Sequence, residues 1–215
     1  MKPSIQVMLD LETFGVKEYS AIISIGAVVF DPTKQGEDAI AHEYHVTIDP
    51  ETAQAKGLRL DASTVLWWMQ PNQRAALDDW RNTIHFSLDV ALDGFSQFLL
   101  ESLREITTEG HADFDPAEQV TIWGNGPQFD CMLLRQAFEM CQRDVPWKHY
   151  NEKCFRTMKN LPGAKSLTPP IDGVKHNALV DARHQALWLC NILKMIPALG
   201  PVDIGKPMIA PPLSS

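Results

Sequence analysis

Apolar and polar residues alternate near the start of the chain in a pattern that predicts β-strands. In residues 5–11 every second residue from Ile5 onward is apolar, while Asp10 points the other way, which predicts a strand with one face in the core. Residues 21–30 form a nearly continuous apolar run, typical of a central strand, and residues 42–48 alternate again. Because short links join these three segments, they predict an antiparallel meander.

Apolar residues at helical spacing predict three long helices in the remainder of the chain. They lie at residues 88–104, 129–141 and 178–195. A short apolar run at residues 120–123 predicts a buried strand between the first two of them. Weaker patterns predict short helices at residues 61–69, 73–80 and 154–161, a short strand from Pro146 onward, and loops at 107–116 and 162–175, the second of them mobile.

This order of elements predicts an α/β fold with one mixed sheet. A meander followed by alternating strands and helices gives three antiparallel strands, then parallel strands, with helices on the faces of the sheet. The chain has 215 residues, enough for one domain with a full core. We therefore expect a single domain over residues 1–200 and an irregular, proline-rich tail over residues 201–215.

Composition narrows the class of protein without fixing its function. With a net charge of −8, the chain lacks the broad basic surface that is typical of a non-specific nucleic-acid binder. An enzyme that uses metal ions to contact phosphate is still compatible with this charge. The four cysteines show no CxxC spacing, which favours reduced thiols in a cytosolic protein. Neither a signal peptide nor a membrane-spanning apolar run is recognisable, so we expect a cytoplasmic location.

Two acids near the end of the first predicted strand are the first candidates for chemistry. Asp10 and Glu12 are two residues apart, so both side chains leave the same face of the strand, roughly 6–7 Å apart at the backbone. That spacing suits two carboxylates that reach for metal ions from one side. The alternative is a polar strand end with two solvated acids.

Two further acids and a histidine stand at the predicted starts of later helices. Asp130 shares a helical stripe with buried positions, and an unpaired buried carboxylate is costly, so it needs a cation, a capping role or a proton. Asp181 follows Asn177, a plausible N-cap, and for both acids a capping role at the helix N-terminus is the alternative. His176 lies five positions before Asp181, on the loop rather than on the helix.

Considered together, these residues predict a metal centre. Oxygen ligands without cysteine select Mg²⁺ or Mn²⁺ rather than zinc. Clustered carboxylates repel one another unless cations neutralise them, and two divalent ions about 3.5–4 Å apart are the usual device for in-line attack at a phosphodiester. The sequence therefore indicates phosphodiester chemistry that depends on two divalent cations.

The ordered set of motifs resembles the DEDDh 3′–5′ exonucleases of the DnaQ-like group, which have a ribonuclease H-like fold. Asp10 and Glu12 match the first motif, Asn125 to Asp130 the second, and His176 to Asp181 the third. The resemblance covers about residues 5–195. Trp67-Trp68 and the loop before Asp130 look closer to phage-type and exodeoxyribonuclease VIII-like members. The sequence Thr13-Phe14-Gly15 departs from the two threonines that many relatives have before this glycine.

The resemblance implies a mechanism and a set of site residues. The four acids would hold two Mg²⁺ or Mn²⁺ ions and His176 would act as general base, releasing nucleoside 5′-monophosphates from the 3′ end of single-stranded DNA or RNA. The segment after the first two acids, together with Asn125, is expected to contact the substrate. Thr13 and Phe14 would touch the terminal nucleotide, with Phe14 stacked on its base.

Several alternatives stay open from the sequence alone. Trp67 and Trp68 are either core residues or substrate contacts, and Lys165 and Lys175 form either a cationic rim or solvated surface. A non-catalytic binding module, a ribonuclease H-like endonuclease and an enzyme that acts on another phosphate ester are the rival functions. The complete set of five polar residues disfavours the first rival, and the His-x4-Asp arrangement disfavours the second. A homodimer through the sheet edge or the aromatic segment is also open.

Overall fold

The computed structural model of the chain describes residues 4–106 and 115–196. Its sheet has six strands: β1 (Ile5–Thr13), β2 (Ile22–Phe30), β3 (Ile40–Ile48), β4 (His85–Phe86), β5 (Val120–Gly124) and β6 (Glu152–Cys154). They lie in the order β4-β3-β2-β1-β5-β6. Strands β1, β2 and β3 are antiparallel neighbours, whereas β5 and β6 run parallel to β1 and β4 runs parallel to β3. The predicted mixed sheet, with a meander followed by parallel strands, is confirmed.

Seven α-helices surround this sheet in the described part of the chain. They are α1 (Pro50–Ala55), α2 (Ala62–Trp68), α3 (Arg74–Arg81), α4 (Leu88–Ile106), α5 (Asp130–Met140), α6 (Phe155–Lys159) and α7 (Ala178–Met195). Three of them match the three long helices expected from apolar spacing to within about two residues, the usual uncertainty of helix ends. No helix within residues 4–106 and 115–196 is long and apolar enough to cross a membrane.

Helices cover both faces of β1, which corrects the expectation of a single buried face. Ile5, Val7 and Leu9 face one core cluster, to which α4 and α5 contribute. Met8 on the opposite face is fully buried in a second cluster, to which α7 contributes. The side chain of Met8 is unbranched and apolar, so it gives no polar signal against burial. Asp10 and Glu12 follow on this second face, where the sheet meets α7.

One glycine allows α7 to approach the sheet at the level of these acids. Gly26 of β2 is the antiparallel partner of Asp10 on β1. A Cβ atom at Gly26 would lie only 2.1 Å from the backbone carbon of Ala178, the first residue of α7. Glycine is therefore needed for this close approach. The approach places the first turn of α7, which carries Asp181, beside the end of β1.

The sequence patterns missed or misplaced several short elements. The strand predicted from Pro146 onward is β6, at Glu152–Cys154. Trp147 is instead a core residue, 2% exposed, whose indole Nε1 donates to Glu152 Oε1 at 3.0 Å. Helix α1 was not predicted, although Asp49 caps it by accepting from the backbone N–H of Glu51 and Pro50 occupies its first turn. Its capping signal was present but its apolar pattern is too short to recognise.

Side chains of α7 make hydrogen bonds to the backbone of the loop at residues 162–175. Trp188 Nε1 donates to the carbonyl of Ala164 at 2.8 Å, and Asn191 Nδ2 donates to that of Leu167 at 3.0 Å. The loop contains a 3₁₀ turn at Ala164–Leu167. Its predicted mobility stays a prediction. The loop expected at residues 107–116 falls largely outside the described residues, as does the whole tail at 201–215.

Candidate active site

The end of β1 holds two of the predicted acids on the face that α7 covers. Gln185 of α7 donates through its Nε2 to Asp10 Oδ1 at 2.7 Å, which fixes the Asp10 carboxylate against the helix. The pairing of β1 with β2 shifts register between Glu12 and Thr13. This irregularity ends the alternation of side chains and marks the place where the strand leaves the sheet.

Asp130 is placed by the loop between β5 and α5. It begins α5, is 3% exposed, and shares the buried stripe of that helix with Leu134 and Ala137, as the sequence predicted. A Cβ atom at Gly124 would lie 3.0 Å from Asp130 Oδ2, so the glycine at the end of β5 makes room for the carboxylate. Backbone N–H groups of Leu11 on β1 and of Asn125 on this loop lie close enough to lower the pKa of the carboxyl group.

Asp181 and His176 lie at the start of α7 and are joined to each other. Asn177 caps the helix, and its Oδ1 accepts from the backbone N–H groups of Leu179 and Val180, which confirms its predicted role. Asp181 Oδ2 instead accepts from the backbone N–H of His176 at 3.0 Å. His176 has a positive φ of 64°, an uncommon backbone conformation for a residue other than glycine.

All five polar residues predicted for the site line one cavity of about 510 Å³. A ligand atom from each of Glu12, His176 and Asp181 lies within 4.8 Å of the others. Asn125, predicted as a substrate contact, also lines this cavity, as does Lys175 from the proposed rim. The structure therefore brings together three segments of the chain that are far apart in sequence.

Burial raises the pKa values of all four carboxyl groups, and repulsion by neighbouring acids raises those of Asp10 and Glu12 further. The pKa values of Asp10 and Glu12 rise well above their ordinary range, first because protein surrounds the groups and then because the other acids lie nearby. Burial raises the pKa of Asp130 to about 7, and it also raises the pKa of Asp181. Without a compensating positive charge, four ionised carboxylates in this position are unfavourable.

The residues present fit divalent cations. Carboxylate oxygens are the ligands that Mg²⁺ and Mn²⁺ prefer, and cations here would offset the burial and the repulsion that raise these pKa values. Among the described residues, the buried Oδ1 of Asn125 and Oε1 of Gln185 have no hydrogen-bond partner. Both residues line the cavity, so their oxygens are additional acceptors beside the carboxylates.

The histidine ring is held between the acids and two tryptophans. Its centroid lies 5.3 Å from the ring of Trp67 and 6.4 Å from that of Trp68, both in edge-to-face geometry. Burial lowers the pKa of His176, and the charge of Asp181 opposes that shift. A neutral imidazole with a fixed orientation can accept a proton, which is what a general base requires.

A second cavity of about 420 Å³ adjoins the first, with Leu11, Glu12 and Phe129 lining both. Thr13 and Trp67 line the second cavity, but Phe14 lines neither. The Phe14 side chain is 8% exposed and packs edge-on against Trp80 at 5.6 Å. This placement opposes the predicted stacking of Phe14 on a base.

Each tryptophan of the Trp67-Trp68 pair has a different environment. Trp68 is 3% exposed and donates from Nε1 to the carbonyl of Thr13 at 3.0 Å, so it supports the strand end. Both tryptophans line the second cavity, but Trp67 is only partly buried. Lys165 is exposed and does not line either cavity.

Sequence reasoning missed four polar residues of the main cavity, namely Arg156, Lys159, His184 and Gln185. Gln185 is four residues after Asp181, so helical spacing places it on the same face of α7, and this spacing was visible in the sequence. Arg156 and Lys159 of α6 also line the cavity. The position of α6 depends on the pairing of β6 with β5, a contact that no local pattern specified.

A sequence model of the family described as "3′-5′ exoribonuclease Rv2179c-like domain" matches residues 5–193. Three solved structures share the fold. The nuclease domain of 3′hExo, a DEDDh family member bound to rAMP, has a TM-score of 0.53 and 14% identity, covering 92% of this chain and 94% of that one. A full-length 3′-exonuclease has a TM-score of 0.53 and 14% identity, covering 92% and 84%. Cell-death related nuclease 4 (CRN-4) has a TM-score of 0.50 and 15% identity, covering 91% and 64%.

At these identities the solved structures establish the fold alone, and they confirm the ribonuclease H-like arrangement of DEDDh exonucleases. A search of curated protein sequences gave no match. The match to the family model covers all three motifs, from Asp10 to Asp181.

Proposed function

The chain belongs to the family of Rv2179c-like 3′–5′ exoribonuclease domains, and we propose that it removes nucleoside 5′-monophosphates one at a time from the 3′ end of single-stranded nucleic acid. This family assignment makes the chain a phosphodiester hydrolase. The family description names RNA cleavage, so we take single-stranded RNA as the first substrate to test. The closer likeness to exodeoxyribonuclease VIII-like members stays a prediction, as does the homodimer.

The observation that carries the proposal is the convergence of the five residues on one cavity. Asp10, Glu12, Asp130 and Asp181 would hold two Mg²⁺ or Mn²⁺ ions. When bound, such ions would polarise the scissile phosphodiester, promote deprotonation of the attacking water and neutralise the developing charge. The raised pKa values of the acids indicate a site that is short of positive charge before cations bind.

His176 would accept the proton of the attacking water at a ring nitrogen. Its ligand atom lies beside Glu12 and Asp181, so the attacking water would lie on that side of the cavity. The rings of Trp67 and Trp68 limit rotation of the imidazole. Because burial keeps the pKa of His176 below its usual range, the ring is neutral at physiological pH and available as a base.

The terminal nucleotide would occupy the second cavity, beside Glu12. Trp67 and Phe129 offer aromatic surface to its base, in place of the buried Phe14. Base–aromatic contact tolerates every base, which suits an enzyme that removes successive nucleotides. Thr13 is a less direct contact because its Oγ1 already donates to the carbonyl of Gly15 at 2.6 Å.

Labelled oligonucleotides test the direction of cleavage. We expect a 5′-labelled single-stranded RNA to shorten in single-nucleotide steps, with Mg²⁺ or Mn²⁺ present and not with EDTA. The same RNA labelled at its 3′ end should release a labelled mononucleotide at once. Cleavage rates on DNA and on duplex substrates of the same sequence would show whether the enzyme prefers RNA or DNA and single or double strands. Fragments cut at internal positions would favour a ribonuclease H-like endonuclease. If no substrate is cleaved, a non-catalytic binding module or an enzyme that acts on another phosphate ester is favoured instead.

A further inference from the structure

Two cationic side chains of α6 face the cavity that holds the four acids. Arg156 and Lys159 are three residues apart, so they share one face of this short helix, and both line the cavity. Within residues 4–106 and 115–196, neither makes an ion pair with a carboxylate. Lys159 Nζ instead lies over the ring of Phe155, 5.6 Å from its centroid. Both charges are therefore available to an anion that enters the cavity.

The loop before α5 positions the guanidinium group of Arg156. A Cβ atom at Gly126 would lie 3.3 Å from Arg156 Nη2, and Gly126 has a positive φ of 122°. The guanidinium thus lies against the backbone of the loop that leads into Asp130. Glycine at this position leaves the space that the planar group needs.

The two cations and the histidine lie beside different acids of the cluster. Arg156 lies against the loop that leads into Asp130, and Lys159 lies about one turn farther along α6. His176 lies instead with Glu12 and Asp181. In-line displacement at phosphorus places the attacking and leaving oxygens on opposite sides. If His176 marks the side of the attacking water, the leaving 3′ oxygen points toward Arg156 and Lys159.

The leaving 3′ oxygen belongs to the penultimate nucleotide, so the remaining strand departs in the same direction. We propose that Arg156 and Lys159 bind the phosphate one nucleotide upstream of the scissile phosphodiester. This assignment rests on the proposed exonuclease function. Arginine suits it because its planar group can contact two phosphate oxygens at once, whereas lysine adds a point charge. The pair would make the enzyme prefer substrates that carry this second phosphate.

A pair of dinucleotides isolates the contact. ApA has only the scissile phosphodiester, whereas pApA carries one further phosphate at the position assigned to Arg156 and Lys159. We expect wild-type kcat/KM to be roughly tenfold to a hundredfold higher for pApA, as for a charge-assisted hydrogen bond. R156Q should lower kcat/KM for pApA by a similar factor, mainly through KM, and leave that for ApA within about twofold.

Matched variants separate binding from folding and from general electrostatics. K159Q should give a smaller loss, again on pApA alone, and R156K should retain part of the preference. K165Q removes the same charge from an exposed lysine outside both cavities and should change neither substrate. Circular dichroism spectra of all variants should match that of the wild type, because Arg156 and Lys165 are exposed and Lys159 is only partly buried.

Three outcomes would overturn the proposal. Equal losses on ApA and pApA in R156Q and K159Q would show that the cations act on the scissile phosphate or on the fold, while the exonuclease function stands. A wild-type enzyme without preference for pApA would refute the upstream site in the same way. Failure of the wild type to cleave ApA, pApA or longer RNA with divalent metal would remove the proposed function itself.

Discussion

Asp130→Asn should change the pH dependence of stability in the metal-free protein. Burial raises the pKa of Asp130 from an ordinary value of 3.8 to about 7. The folded state therefore binds this proton more tightly than the unfolded state does. Stability is gained as pH falls through about 7, and the gain is complete only below the unfolded pKa near 3.8. Above pH 7 the ionised group carries its full cost.

The magnitude follows from the difference between the ordinary pKa of 3.8 and the raised pKa of about 7. At about 1.4 kcal/mol per unit, the cost of ionised Asp130 at pH 8 is at most ~4 kcal/mol, and its coupling to the other acids reduces this figure. The amide group that replaces the carboxyl group in the variant cannot ionise and occupies a similar volume. We expect the metal-free variant to be more stable than wild type at pH 8 by about 1–3 kcal/mol, with a smaller difference at pH 5.

Urea denaturation in EDTA from pH 5 to pH 8 measures this effect. The free energy of unfolding of the wild type should rise as pH falls from 8 to 6, and Asp130→Asn should show a weaker rise. Asp144→Asn, at an exposed loop residue after α5, is the matched control and should follow the wild type. Identical pH dependence in wild type and Asp130→Asn would refute the reasoning, as would a variant less stable than wild type at pH 8.

Four further substitutions probe the base, the aromatic surface, the burial of Phe14 and the close approach of α7. His176→Gln should lower kcat by about 10²–10⁴ with a smaller change in KM. The activity of the wild type should rise with pH through a pKa below the usual histidine range. If the activity of the variant rises with pH in the same way, His176 is not the base. Trp67→Ala should raise KM for short RNA. Phe14→Ala should instead lower the free energy of unfolding by about 3–5 kcal/mol without a selective change in KM. A raised KM in Phe14→Ala and an unchanged KM in Trp67→Ala would show that Phe14 contacts substrate. Gly26→Ala should lower both the melting temperature and activity, because its Cβ would overlap the backbone of Ala178. A melting temperature equal to that of the wild type would show that α7 can move away from the sheet without loss of stability.

Long periodic segments made most of the fold predictable. Apolar spacing gave α7 its observed bounds, Ala178–Met195, and the alternation from Ile5 located β1 and the shared face of Asp10 and Glu12. These patterns are local, since each follows from the repeat of one helix or one strand. They also predicted correctly that Asp130 lies on the buried stripe of α5.

The features that sequence patterns missed depend on contacts between distant segments. Phe14 follows the register shift at Glu12 and Thr13, after which simple alternation no longer tells which way a side chain points. Its burial depends on Trp80 of α3, a contact that no local pattern contains. Arg156 and Lys159 reach the cavity because β6 pairs with β5 and so fixes the start of α6. The sequence pointed to Lys165 and Lys175 instead, of which only Lys175 lines the cavity.

Release of mononucleotide by wild type and Asp181→Ala tests the central claim most directly. Asp181 lies on α7, and its carboxylate accepts a hydrogen bond from the backbone of His176, so its removal leaves the other three acids in place. With 3′-labelled single-stranded RNA and Mg²⁺ or Mn²⁺, wild type should release nucleoside 5′-monophosphate, and the folded variant should release none above background. Full activity in Asp181→Ala, or products other than terminal mononucleotides from wild type, would contradict the account.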